Sequence, residues 1–186
     1  AAWEMDEFLI TVWGMPKVED TDVVAQALAD AGINVVVWEP DKLDKCRKYG
    51  LKALIPHPTP ELAAQLKHDR AVWGYHLGDE PYPESTFPPL ADQKRALQKA
   101  DPNHPAFINM LSTTGDFLRA YMDIVEPELL SYDYYQWRWG SDRYFEKLEQ
   151  FREEALKAGV PLACCIESTA DPRYGEGHAD NARKLR

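Results

Sequence analysis

The sequence predicts an α/β protein with the architecture of a (βα)8 TIM barrel, in a single domain that spans residues 1–186. Apolar runs alternate with helix-like segments seven times, at roughly 20 to 30 residues per unit. The apolar runs show little alternation with polar residues, which is typical of parallel strands that are buried on both faces. The turn after the first run, WGMPKVED, contains no glycine-rich phosphate-binding motif, which disfavours a doubly wound nucleotide-binding sheet.

Each element of this barrel follows from local sequence signals. The strands are runs rich in β-branched or aromatic residues, and the helices carry apolar residues at helical spacing. We predict strands at 8–14, 33–40, 51–58, 71–81, 104–111, 129–137 and 160–168. We predict helices at 21–32, 41–50, 59–69, 87–102, 114–127 and 142–159, and a seventh that begins within 177–186. A complete barrel has eight strands and takes about 250 residues, so we expect that the eighth strand is missing and that the chain is C-terminally incomplete.

The composition excludes several classes of partner. The formal net charge is −10, so nucleic-acid phosphates would be repelled and we expect no nucleic-acid partner. No apolar run approaches the roughly 20 residues of a membrane span, so we predict no membrane partner. No signal-peptide pattern opens the chain, but the start AAWEMDEF is compatible with a processed N-terminus, and we favour a secreted or periplasmic location over a cytoplasmic one. The sequence indicates no cofactor and favours no particular oligomeric state.

The predicted strands carry residues suited to carbohydrate chemistry at their carboxyl ends. In a barrel these ends meet on one face, where the active sites of such barrels lie. Aromatic rings offer flat apolar faces for stacking on sugars, and carboxylate, amide and imidazole groups can hydrogen-bond hydroxyls or transfer protons. We therefore predict a carbohydrate substrate and a site formed by Trp13, Trp38, Glu39, His57, Asp79, Glu80, Asn109, Tyr134, Trp137 and Glu167.

Two glutamates at strand ends define this prediction further. Glu80 ends the fourth predicted strand, within WGYHLGDEP, and Glu167 ends the seventh, within VPLACCIES. In this arrangement the chain resembles the clan A retaining glycoside hydrolases, which are (βα)8 barrels with an acid/base after strand 4 and a nucleophile after strand 7. The resemblance implies that Glu80 is the acid/base and Glu167 the nucleophile in a double displacement at the β-glycosidic bonds of an oligo- or polysaccharide.

The resemblance also implies a tyrosine on the sixth strand that hydrogen-bonds the nucleophile. The segment SYDYYQW offers Tyr132, Tyr134 and Tyr135 for this position. We select Tyr134, because it lies near the end of the predicted strand.

The residue before the acid/base departs from the family pattern, which usually has asparagine there where this chain has Asp79. An Asp-Glu pair also resembles the substrate-assisted β-N-acetylhexosaminidases, in which the aspartate orients the acetamido oxygen of the substrate and the glutamate acts as acid. Glu167 favours the first mechanism, since the second requires no glutamate on strand 7. A non-catalytic carbohydrate-binding protein on a barrel scaffold is a further alternative, and the two glutamates favour an enzyme over it.

A metal-dependent hydrolase is the remaining alternative, with His57, His76, Asp79 and Glu80 as ligands. His76 and Asp79 lie three residues apart on one predicted strand, so we expect their side chains on opposite faces. The ligand set is then incomplete, and we predict no metal.

Overall fold

The structure, a computed structural model, describes residues 3–13, 21–135 and 142–166. Within these residues, six strands form one sheet. The strands are β1 (Val35–Val37), β2 (Lys52–Pro56), β3 (Val72–Asp79), β4 (Ala106–Met110), β5 (Leu130–Tyr134) and β6 (Leu162–Ile166). They correspond to the second to seventh predicted strands.

The strands of this sheet follow one another in chain order, and every neighbouring pair is parallel. The first predicted strand contributes only an isolated parallel bridge between Thr11 and Val35, which places the N-terminal segment beside β1. A doubly wound sheet reverses its strand order at a switch point, whereas a barrel adds each strand next to the previous one. The observed order is that of a barrel.

Within 21–135 and 142–166, six α-helices alternate with the strands. They are α1 (Thr21–Asp30), α2 (Leu43–Tyr49), α3 (Pro60–Leu66), α4 (Phe87–Ala100), α5 (Asp116–Val125) and α6 (Asp142–Ala158). Short 3-10 turns at Pro40–Lys42 and Glu84–Thr86 lead into α2 and α4. The predicted seventh helix lies outside the described residues.

Local sequence signals set the C-terminal end of α2 and the N-terminal end of α3. The Thr59 hydroxyl accepts a hydrogen bond of 3.2 Å from the backbone N–H of Leu62, and Pro60 occupies the first position of α3. Gly50 ends α2 with a left-handed backbone (φ 70°), which glycine adopts without steric cost. These signals explain why the predicted boundaries of α2 and α3 lie close to the observed ones.

All six helices pack against the same face of the sheet. Two buried clusters combine strand residues with helix residues, for example Val36 with Ala25 of α1, and Tyr132 with Phe151 of α6. A third cluster contains no residue of these helices and consists of Val35, Leu54, Trp73, Phe107 and Leu129, with Trp3, Met5 and Leu9 against it. We call the face that carries this third cluster the helix-free face. Helices on one face only are typical of a curled sheet that belongs to a TIM barrel, and the predicted fold class is confirmed.

The described helices lack the features of a membrane-spanning helix. None of those within 21–135 and 142–166 combines the length and the apolar character that crossing a bilayer requires.

Candidate active site

The residues that follow β2 and β3 have an unusual backbone conformation. His57 comes directly after β2 with φ 50°, and Glu80 comes directly after β3 with φ 46°. The Glu80 backbone N–H donates a 2.8 Å hydrogen bond to the carbonyl of Asn109, which helps to hold this conformation. Residues other than glycine adopt positive φ infrequently, and such residues cluster at functional sites. The carboxyl ends of β2 and β3 are therefore a candidate position for a functional site.

A β-bulge in β3 changes which of its side chains share a face. His76 pairs with Phe107 and Asp79 pairs with Asn109, so three residue steps on β3 match two steps on β4. Phe107 and Asn109 lie two residues apart and point to the same face. His76 and Asp79 therefore also share a face, and the expectation that they point to opposite faces is wrong.

A chain of polar side chains joins β3, β4, β5 and β6 on this face. The Asn109 amide donates a 3.1 Å hydrogen bond to an oxygen of Asp79, and its own oxygen accepts one of 3.2 Å from the Ser131 hydroxyl. The Cys165 thiol contacts the same Asn109 oxygen at 3.8 Å. Asn109 is only 3% exposed, so its amide is fixed in one orientation. This chain orients the Asp79 carboxylate next to Glu80.

Glu80 faces a second carboxyl group, that of Asp133 on β5. The two carboxyl groups are close enough to affect each other's pKa, and the Glu80 side chain is exposed to solvent. Partial burial raises the pKa of Glu80, and the negative charges of Asp133 and Asp79 raise it further. Burial likewise raises the pKa of Asp133, while its neighbours Tyr135 and Glu80 act to lower it. We call Asp79, Glu80 and Asp133 the carboxylate cluster.

The position of Tyr134 differs from the predicted one. Tyr134 is 3% exposed, belongs to a cluster on the helix side of the sheet, and its ring lies 6.1 Å from that of Tyr144 in α6. Side chains alternate along a strand, so Asp133 and Tyr135 point to the other face. Burial raises the pKa of Tyr135, and the nearby Asp133 carboxyl group raises it further. Tyr135, which directly follows β5, is therefore on the side of the carboxylate cluster, whereas the predicted contact of Tyr134 with Glu167 involves a residue outside the described ranges.

The two predicted tryptophan platforms within the described residues lie on different sides of the sheet. Trp13 is 43% exposed, and its ring lies 5.0 Å from His76 and 6.4 Å from Phe107, on the helix-free face. Trp38 is half-buried and packs against the helix-side cluster. Trp38 follows Val37, which contacts the helix-free cluster, so alternation turns the Trp38 ring away from the site. Only Trp13 of these two presents an exposed ring beside the site.

Two histidines, His57 and His76, lie near the carboxylate cluster. Burial lowers the pKa of His76, the nearby His57 lowers it further, and Asp79 acts against both. Within the described part of the chain, the buried Nε2 of His76 has no hydrogen-bond partner. Among the same residues, no three His, Cys, Asp or Glu side chains are grouped so that they could hold a metal ion.

The other predicted site residues divide into two groups. Glu39 is exposed two residues after the end of β1 and directly precedes the 3-10 turn at Pro40–Lys42. Glu167 and Trp137 lie outside the described residues. The structure therefore brings together His57, Asp79, Glu80, Asn109 and Trp13 near the carboxyl ends of the strands.

Sequence reasoning missed Asp133 and Ser131. Only the tyrosines of the segment SYDYYQW enter the predicted site. Residues 131, 133 and 135 of this segment alternate with Tyr132 and Tyr134, which pack on the helix side of the sheet. Polar residues at every second position of an otherwise buried strand are the signal that would have identified the site-facing side.

The fold and these strand ends define a class of architecture, a partial TIM barrel that carries titratable groups at the carboxyl ends of its strands. Neither a protein-family profile nor a curated protein sequence matches the chain. Solved structures do match. The endo-1,4-β-D-mannanase of Thermotoga petrophila RKU-1 has a TM-score of 0.59 and 12% identity, with 87% of this chain and 81% of that chain covered.

Two β-glucuronidases of Bacteroides uniformis are also similar. One has a TM-score of 0.57 and 11% identity, with 88% of this chain and 26% of that chain covered. The other, β-glucuronidase 2 bound covalently to a cyclophellitol-6-carboxylate aziridine, has a TM-score of 0.52 and 13% identity, with 81% and 23% covered. This chain thus spans about a quarter of the length of these two enzymes. The resemblance to the clan A glycoside hydrolases is confirmed at the level of the fold.

Proposed function

We propose that the protein is a glycoside hydrolase that cleaves β-glycosidic bonds of an oligo- or polysaccharide with retention, with Glu80 as acid/base and Glu167 as nucleophile. The observation that carries this proposal is the position of Glu80. It follows β3 at the carboxyl end of the sheet, in a left-handed backbone, with its carboxyl group near those of Asp79 and Asp133. A carboxyl group that is still protonated near neutral pH is what a general acid requires, and the raised pKa of Glu80 favours it.

In the proposed reaction, Glu80 donates its proton to the glycosidic oxygen while the Glu167 carboxylate attacks the anomeric carbon. The bond to the leaving sugar breaks, and a glycosyl ester forms on Glu167. Glu80, now a carboxylate, removes a proton from a water molecule that attacks the ester, and the sugar leaves with its original configuration. Trp13 supplies an exposed ring for stacking on the substrate, and Asp79, held by Asn109, supplies an oriented acceptor for a sugar hydroxyl.

This proposal is tested by the configuration of the first product. Proton NMR of neutral β-linked oligosaccharides during hydrolysis is expected to show the β-anomer first, followed by slow mutarotation. Appearance of the α-anomer first would contradict the retaining mechanism. Saturable binding of the oligosaccharides without any hydrolysis would favour the non-catalytic carbohydrate-binding protein.

A second candidate function is a substrate-assisted β-N-acetylhexosaminidase, and the geometry of Asp79 favours considering it. The Asp79 carboxylate is oriented by Asn109 directly before Glu80, as an aspartate that positions an acetamido group would have to be. Asp79→Asn separates the two mechanisms. With a Glu167 nucleophile we expect a loss of about tenfold, because a substrate contact is weakened but the nucleophile is retained.

The substrate-assisted mechanism predicts a different result for the same variant. Asp79→Asn would then reduce turnover as severely as Glu80→Gln, and only 2-acetamido sugars would be cleaved. Parallel kinetics on glycosides with and without the acetamido group provide the measurement. Asp92→Asn, an exposed change on α4, serves as the matched control and is expected to leave both activities unchanged.

Trp13 and Trp38 form a matched pair for testing sugar binding. Trp13→Ala is expected to weaken oligosaccharide binding by about 1 to 3 kcal/mol, because its exposed ring lies beside the site. Trp38→Ala is expected to leave affinity unchanged but to lower the free energy of unfolding by about 2 to 4 kcal/mol, because its ring packs against the helix-side core. Calorimetric titration and urea denaturation of both variants provide the measurements, and the opposite pattern would return Trp38 to the site.

A further inference from the structure

We propose that Tyr82 forms a sugar-stacking subsite beyond Glu80, which holds the leaving-group sugar of the proposed reaction. The ring of Tyr82, supported from behind by Phe117, then favours substrates in which a second sugar ring follows the cleaved bond. The role as a leaving-group subsite rests on the proposed function, because it takes Glu80 as the acid. Sugar binding by the ring requires no turnover and can be measured independently of that function.

Tyr82 is an exposed aromatic side chain in the loop that follows β3. It is 68% exposed. Its ring lies 5.9 Å from the ring of Phe117 in α5, with an angle of 35° between the two planes. Contact with this one neighbouring ring leaves most of the Tyr82 surface open. A flat apolar surface is therefore available to the C–H groups of a pyranose, and the hydroxyl at its edge can hydrogen-bond a sugar.

The ring of Tyr82 is held in place although it is exposed. Phe117 packs edge-on against Phe87 at 5.0 Å, and Phe87 is fully buried in the helix-side cluster. Pro83 restricts the backbone of the residue before it, which is Tyr82. The Pro83 carbonyl also accepts hydrogen bonds of 2.9 Å and 2.8 Å from the backbone N–H and the hydroxyl of Thr86. A side chain that is already ordered loses less conformational entropy when a ligand stacks on it.

The chain places Tyr82 next to the proposed acid. Tyr82 lies two residues after Glu80, so their Cα atoms are at most about 7 Å apart. A general acid acts within hydrogen-bond distance of the atom that it protonates, which in this reaction is the glycosidic oxygen. A sugar ring that is attached to this oxygen therefore lies within reach of the loop that carries Tyr82.

The two faces of the sheet indicate which of the two sugars meets Tyr82. The reacting sugar must lie between Glu80 and the proposed nucleophile Glu167, at the carboxylate cluster on the helix-free face. Phe117 packs instead against the helix-side cluster, so its contact with Tyr82 places this ring toward the helix layer. A substrate that extends from the carboxylate cluster outward past Glu80 meets Tyr82 with its leaving-group sugar.

Calorimetric titration with cello-oligosaccharides and manno-oligosaccharides tests the subsite without turnover. All chains in this titration also carry Glu80→Gln, which prevents hydrolysis during the measurement. Tyr82→Ala is expected to weaken binding by about tenfold or more, because the stacking surface is lost. Tyr82→Phe keeps the ring and is expected to bind as tightly as the parent chain. Equal affinity of Tyr82→Ala and the parent, or no saturable binding by the parent, would overturn the proposal.

Phe8 provides the matched control for loss of an exposed aromatic ring. It is 82% exposed, and its carbonyl accepts a 2.7 Å hydrogen bond from the amide of Asn34, the residue before β1. Phe8 thus lies at the amino ends of the strands, opposite to the candidate site. Phe8→Ala is expected to leave the affinity unchanged. An equal loss in Phe8→Ala and Tyr82→Ala would contradict a specific subsite at Tyr82.

Kinetics on two kinds of substrate assign the subsite to the leaving group. The β-fluorides of glucose and mannose supply a reacting sugar but no leaving-group ring. Tyr82→Ala is expected to lower kcat/KM by about tenfold or more on the oligosaccharides and to leave it unchanged on the fluorides. Equal losses on both would place Tyr82 at the reacting sugar and overturn the assignment.

Failure of the proposed function has a different signature. A wild type that cleaves neither kind of substrate, while binding still depends on Tyr82, would exclude the hydrolase and retain the sugar-stacking subsite. A wild type that cleaves the oligosaccharides equally well with and without the Tyr82 ring would retain the hydrolase and exclude the subsite.

Discussion

Glu80→Gln is expected to lower kcat on unactivated oligosaccharides by about 10²- to 10⁴-fold, the contribution that general acid catalysis typically makes. Glutamine has nearly the same shape as glutamate, so the site is preserved, but its amide cannot donate a proton to the glycosidic oxygen. Aryl glycosides with acidic phenol leaving groups need little protonation, and their first step is expected to fall much less. The ratio of the two losses, measured by steady-state kinetics, is the diagnostic quantity.

The control for this experiment lies four residues further along the chain. Glu84 is exposed in the 3-10 turn before α4, so Glu84→Gln changes the formal charge equally without touching the carboxylate cluster. It is expected to leave both activities unchanged. Equal losses on both substrates in Glu80→Gln, or no loss on either, would mean that Glu80 does not act as the acid.

The fold was predictable because its signals are local and repeated. The strands from the second to the seventh are largely apolar runs, and the intervening helices carry apolar stripes, with a recognisable stop at Gly50. The first predicted strand does not form a full strand in the structure. Phe8 is 82% exposed and the segment forms a single bridge at Thr11, because pairing with β1 depends on tertiary contacts rather than on the apolar character of the run.

The site was less predictable, because it depends on which face each side chain occupies. A bulge in β3 brings His76 to the face of Asp79, and a bulge is not encoded by the spacing of apolar residues. The position of Tyr134 depends on the phase of alternation along β5, which can be read from the sequence only after Ser131 and Asp133 are recognised as the polar side. Trp38 presents the same difficulty, since an aromatic residue at a strand end suits either face.

The carboxylate cluster also explains why a pair of glutamates was an incomplete description of this site. Strand position alone points to Glu80 and Glu167, whereas the pKa of Glu80 is raised by burial and by Asp133, which lies 53 positions further along the chain. The register of β3, β4 and β5 determines which side chains of these strands are neighbours. No short stretch of the sequence specifies this register.

Glu167→Ala is expected to reduce kcat/KM by about 10⁴-fold or more, the scale of loss that follows removal of an enzymatic nucleophile. The retaining mechanism passes through a covalent sugar ester, and without the carboxylate this ester cannot form. A 2-fluoro glycoside with a good leaving group slows both steps but especially hydrolysis of the ester, so the intermediate accumulates on the wild-type protein. Mass spectrometry is expected to find one sugar per chain, and none on Glu167→Ala.

The position of that label separates the competing assignments. After trypsin digestion, peptide 158–173, AGVPLACCIESTADPR, is expected to carry the sugar at Glu167. Asp171 lies in the same peptide, so Asp171→Asn is the matched control and should label normally. A label on peptide 120–138, which contains Asp133, would instead overturn the assignment of Glu167 as the nucleophile. The substrate-assisted mechanism predicts no label on either peptide, because the acetamido oxygen of the substrate forms the intermediate and no carboxyl group of the protein becomes esterified.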